Sequence, residues 1–109
     1  MGREYHFHLE HAGCSVTAGV RFGGDREVEV LVDGKEVAFE RVHGHHAEEL
    51  TLAVVLPLEP PRRVEVRVDL PGRVSGIPSC TLLDGGAELP MPEREIPRHA
   101  RPTEASWYG

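Results

Sequence analysis

The sequence predicts an all-β protein, a two-layer antiparallel β-sandwich of about 7–8 short strands, with a small closed barrel as the alternative. Three observations carry this. The first is Glu27–Arg41, EVEVLVDGKEVAFER, in which two alternating apolar runs flank Asp33-Gly34. The second is the recurrence of such runs at roughly ten-residue spacing with Gly or Pro between them. The third is the lack of any segment holding a helical period over three turns. A sandwich suits short strands joined by turns, since a lone hairpin is marginal in water and needs a second layer.

Asp33-Gly34 is the preferred pair for a two-residue turn with positive φ at both positions. That loop places Val28 opposite Phe39 and Val30 opposite Val37, giving one apolar patch. Glu27, Glu29, Glu36 and Glu40 fall on the other face. A three-residue loop would set Val30 opposite Ala38 and Val28 opposite Glu40. It would turn half the apolar residues to water, so the pattern selects the shorter loop.

The other elements follow in order. Tyr5, Phe7 and Leu9 alternate with His6 and His8, which reads as a strand with the histidines outward. His11-Ala12-Gly13 is a turn. Val16, Ala18, Val20 and Phe22 line a second strand, and Gly19 inside it marks a bulge. The segment 43–49, HGHHAEE, is a polar loop. Leu50, Leu52, Val54 and Leu56 define a fifth strand. Its second face holds Thr51, Ala53 and Val55, which predicts a central strand covered on both sides. The prolines of 57–61 end that ladder, because proline has no N–H to donate. Val64, Val66, Val68 and Leu70 form a sixth strand with Glu65, Arg67 and Asp69 in water. Cys80 and Leu82 begin a short seventh, turned back by Asp84-Gly85-Gly86 through Ala87–Leu89.

The chain divides into a β-sandwich domain over 1–89 and a proline-rich, extended or disordered tail over 90–109. With 109 residues a single core can form without staples, burying roughly two-thirds of the unfolded surface. The formal charge of −6 argues against duplex nucleic acid and anionic membranes as partners, since both need a basic footprint. Arginine dominates the cations but is interleaved with glutamate, so it reads as genomic base composition rather than phosphate binding. No run approaches the ~18–20 apolar residues of a membrane helix. MGREYHFHLEH has no apolar signal core, so the expected location is cytoplasmic. Cys14 and Cys80 are then expected as buried free thiols. An immunoglobulin domain is not supported. The tryptophan expected soon after the first cysteine is missing, and Pro78 stands where a tyrosine is needed before Cys80.

Candidate chemistry is sparse. His6 and His8 share a strand face, and His43, His45 and His46 share a loop. Imidazole is a ligand for zinc, copper or nickel. Were the loop to lie over the first strand, a metal site could form from these five residues. The competing reading is solvated surface histidines, because no cysteine pair at zinc spacing and no HExxH accompanies them. His43-x-His45 with Glu49 is similar to half of the cupin metal motif. The flanking glycines and the second cupin motif are missing, so it assigns no family. No GxSxG elbow or phosphate loop occurs, and no catalytic residue is assigned. The leading functional expectation is therefore a non-catalytic binding or accessory module for protein–protein interaction. A histidine-cluster metal protein or small metalloenzyme is the second, and a structural subunit of a homo-oligomer the third. Trp107 and Tyr108, aromatics at the end of the tail, are candidate anchors for a partner.

Overall fold

The computed structural model describes residues 3–72 and 76–94. It is a β-sandwich of two antiparallel four-stranded sheets. The first sheet holds β1 (Arg3–His11), β2 (Cys14–Phe22), β3 (Arg26–Val32) and β4 (Lys35–Val42), side by side in chain order. The second holds β5 (Glu48–Leu56), β6 (Arg62–Leu70), β7 (Ser79–Asp84) and β8 (Ala87–Met91), again in chain order. No helix among the described residues is long and apolar enough to cross a membrane.

Turn chemistry fixes the meanders. His11 pairs with Cys14, Val32 with Lys35 and Asp84 with Ala87, so these three hairpins have two-residue loops. Both loop residues have positive φ in every case: Ala12 and Gly13, Asp33 and Gly34, Gly85 and Gly86. That twist matches the right-handed twist of the flanking strands. Asp33 reinforces its turn by accepting a hydrogen bond from the Ser15 amide at 2.9 Å.

Alternation supplies the core. Val16, Ala18 and Val20 of β2 meet Val28, Val30 and Val32 of β3 on the inner face. Leu52, Val54 and Leu56 of β5, with Val64, Val66 and Val68 of β6, form the opposing layer. Cys14 and Cys80 are both buried and free, one in each sheet.

Three expectations are corrected. The β3–β4 hairpin opens with the two-residue loop, but its register then shifts at Val30/Leu31, leaving Val37 as the extra residue. Beyond that bulge Val30 faces Ala38 and Val28 faces Glu40, the pairing the apolar pattern argued against. Val37 and Phe39 are consequently 43% and 47% exposed. The exchange is tolerable because β4 is the edge of its sheet, where Glu40 reaches water. Gly19, the expected bulge, sits in unbroken register with both neighbours. Finally, β5 is an edge strand rather than a central one, and its outer residues Thr51, Ala53 and Val55 are exposed.

Strand β8 runs on to Met91, which is buried, so the sheet continues past the expected domain limit at residue 89. The chain then crosses to the first sheet. The His8 amide donates to the Pro92 carbonyl at 3.0 Å, and the Arg94 amide donates to the His6 carbonyl at 2.6 Å. Residues 92–94 thus cover the free edge of β1 and close one side of the sandwich.

A charged clasp joins the sheets near the β1–β2 turn. Asp84 accepts from His11 Nε2 at 2.7 Å and from Arg62 Nε at 2.9 and 3.0 Å. Its side chain is only 8% exposed. The Arg62 hydrogen bonds, then that of His11, hold the Asp84 carboxyl below the ordinary carboxylate range. A carboxylate whose pKa is lowered on folding stabilises the fold above its unfolded value, and the gain is lost as pH falls through the folded one. Unfolding free energy measured across the acid range should therefore fall less steeply in Asp84→Asn than in the wild type. Identical slopes would remove the clasp from the acid response.

Candidate functional site

The outer face of the first sheet carries the densest polar arrangement, laid out in rows by strand register. One row runs Glu4, Arg21, Glu27, Arg41 across the four strands. It forms an unbroken ladder of ion pairs: Arg21–Glu4 at 3.1 Å, Arg21–Glu27 at 3.2 Å and Arg41–Glu27 at 3.1 Å. The next row runs His6, Gly19, Glu29, Phe39. The row beyond is His8, Thr17, Leu31, Glu36.

Gly19 is the key to the middle row. With no side chain there, the sheet surface is dented between His6 and Glu29. A Cβ added at Gly19 would lie 3.4 Å from Glu29 Oε2 and 3.7 Å from His6 Nδ1, so both polar atoms converge on the missing side chain. The dent is shallow and open to solvent, with a volume of about 30 Å³, and is bounded by Glu4, His6, Arg21, Glu27, Glu29 and Phe39. Glu29 is the perturbed group. Burial, then the adjacent Glu36 carboxyl, raises its pKa above the usual range, with Arg21 pulling the other way. A carboxylate in that position is under-compensated, and a cation brought beside it offsets the repulsion from Glu36.

The candidate histidines are spread across this surface. His6 Nε2 lies 3.6 Å from Glu4, whereas His8 bonds Thr17 Oγ1 at 3.1 Å and Glu10 Oε2 at 2.8 Å. His43 stands over the start of β3, 3.1 Å from Asp25. His45 and His46 are exposed. Among the described residues, no three His, Cys, Asp or Glu side chains are grouped so as to hold a metal ion. The cupin-like fragment is also separated, since Glu49 approaches Arg67 at 3.7 Å on the second sheet while His43 pairs with Asp25 on the first. Trp107 and Tyr108 lie outside the described residues.

The thiols are poor nucleophiles. Burial, then Asp69, pushes Cys80 up to about 12, and burial, then Asp33, raises Cys14. Both stay protonated at neutral pH, and a protonated thiol does not attack.

Sequence reasoning overlooked two residues of consequence. Phe39 belongs to the outer face only because of the bulge, which no residue type at Val37 announces. Arg26 is the other. It occupies an inner position between Phe22 and Val42 and is 1% exposed. Comparison with protein-family models, characterised proteins and solved structures finds no match to this chain.

Proposed function

We propose that the protein is a non-catalytic binding module that docks a protein partner on the outer face of its first sheet, at the dent over Gly19. The observation that carries this is the exposed Phe39 beside a half-buried, under-compensated Glu29. Such a pairing suits a basic side chain. Its charged head meets Glu29 over Gly19 while its stem or an apolar neighbour packs on Phe39 and Val37. An aromatic ring next to a carboxylate also favours a guanidinium through cation–π attraction. The acidic excess of the chain supports a basic segment over an acidic one. The expected setting is the cytoplasm.

Selecting peptides from a random library against the full chain tests this reading. Enrichment of Arg or Lys next to an apolar residue is expected. Gly19→Leu fills the dent, and the added Cβ meets only ordinary contacts with flexible side chains, so the fold should persist. The selected peptides should bind this variant at least tenfold more weakly, about 1.4 kcal/mol. Peptides without basic residues, or equal binding to both proteins, would count against the site.

A further inference from the structure

We infer that β5 is a homodimerisation edge, at which two copies join their second sheets into one continuous antiparallel sheet. This inference is independent of the outer-face reading, since it concerns the other sheet.

The sandwich has four sheet edges, and three of them are blunted. Residues 92–94 cover β1. A bulge interrupts β4 at Val37. The β8 edge is five residues long and contains Pro90. By contrast, β5 pairs with β6 over nine consecutive residues without a register shift. Its other side has no strand partner among the described residues. A long, regular, proline-free edge presents a row of backbone donors and acceptors that another strand can satisfy.

Charge selects a second copy as that strand. About a two-fold axis at Leu52, all nine residues pair, with Glu49 opposite Val55 and Thr51 opposite Ala53 of the second copy. Within one copy the outer face is only partly matched: Glu49 lies opposite Asp69 and reaches Arg67 at a long 3.7 Å, while Val55 lies opposite Arg63. Arg63 makes no ion pair among the described residues. In the dimer the row reads Asp69, Glu49, then Val55 and Arg63 of the second copy. Strands lie ~4.8 Å apart, so Glu49 and Arg63 are separated by two spacings, within the combined reach of their side chains over the intervening valine. The two-fold axis repeats this contact, which gives two such pairs. On the inner face Leu52 meets its own mate and Leu50 meets Val54, so the apolar layer is continuous through the middle of the junction, with Glu48 opposite Leu56 at each end.

The full-length chain, measured by sedimentation velocity across a concentration series, should be a dimer at high concentration and dissociate on dilution. Val55 is 51% exposed, so its substitutions leave the fold intact. Val55→Glu sets a carboxylate directly opposite Glu49 and should yield a monomer, raising the dissociation constant at least tenfold. Val55→Lys sets an ammonium there and should keep or tighten the dimer. A wild type that stays monomeric at its highest soluble concentration would overturn the inference. So would a dimer that responds equally to both substitutions, or a monomer that dimerises only once residues 95–109 are removed.

Discussion

Arg26→Met should raise the stability of the fold by about 1–3 kcal/mol, an increase large enough to move the thermal midpoint by several degrees. Arg26 opens β3 on its inner face and is almost wholly removed from water. Its Nη1 donates one long hydrogen bond, 3.3 Å, to the Pro71 carbonyl. Its Nε and Nη2 find no acceptor among the described residues. Guanidinium is more weakly hydrated than an ammonium, but stripping it of water without a carboxylate still costs several kcal/mol. Methionine keeps the length and the apolar stem while discarding the charge and the orphaned donors. Chemical denaturation of both proteins checks this, and a less stable methionine variant would contradict it. Arg26→Ala is the instructive companion. It removes the charge as well but leaves a void beside Phe22 and Val42, so it should fall below the methionine variant.

Leu82→Ala should cost about 2–5 kcal/mol, a large share of the 5–15 kcal/mol typical of a domain. Leu82 is fully buried and lies in β7, between Val66 of β6 and Leu89 of β8. Its strand is flanked on both sides, so neighbours cannot collapse into the space without breaking ladder geometry. The edge strand offers a contrast within the same protein. Val55→Ala, on the outer face of β5, should change stability by no more than about 0.5 kcal/mol in the monomer. A comparable loss at both positions, read from denaturant midpoints at constant slope, would mean that β7 is not a packed centre of its sheet.

Strand number, order of elements and the inner faces of β1, β2, β5 and β6 are legible in the sequence, because each alternates without interruption. Period 2 leaves no freedom once one residue is assigned to the core. The β3–β4 hairpin shows the limit of that logic. Asp33-Gly34 correctly sets the turn, and the pairs next to it follow. The alternation through Val37 and Phe39 then suggests a buried patch, but a bulge rotates both residues outward. A bulge adds one residue to one strand, which local pattern cannot distinguish from regular pairing when apolar residues occur on both sides of the insertion. For β5, the apolar second face pointed to a central strand, but small residues such as Thr51 and Ala53 are equally at home on an exposed edge. Nothing in a single strand's pattern says how many neighbours it has.

The candidate site was less legible still. The sequence points to His6 only as a metal ligand alongside His8, and the two turn to different partners on the same face. Glu29 read as one of several solvated glutamates. What distinguishes it is the missing side chain at Gly19, its directly paired neighbour on the adjacent strand β2. A glycine inside a strand does signal either a bulge or open space beside the backbone, and here the second meaning holds. Arg26 gave no signal, since an arginine at the start of an alternating run looks like a strand's solvated flank.

The most direct test of the binding face is a titration of the isotopically labelled full-length protein with N-acetyl-arginine amide, followed by amide chemical shifts at neutral pH. The expected result is a set of saturable shifts confined to His6, Gly19, Glu29, Phe39 and their strand neighbours, lost in Gly19→Leu. They should also weaken as the pH falls through the raised Glu29 pKa, at a higher pH than an ordinary carboxylate would require, because only the ionised carboxyl attracts the guanidinium. Shifts scattered over every acidic surface, centred on the second sheet, or unchanged in Gly19→Leu would contradict the account.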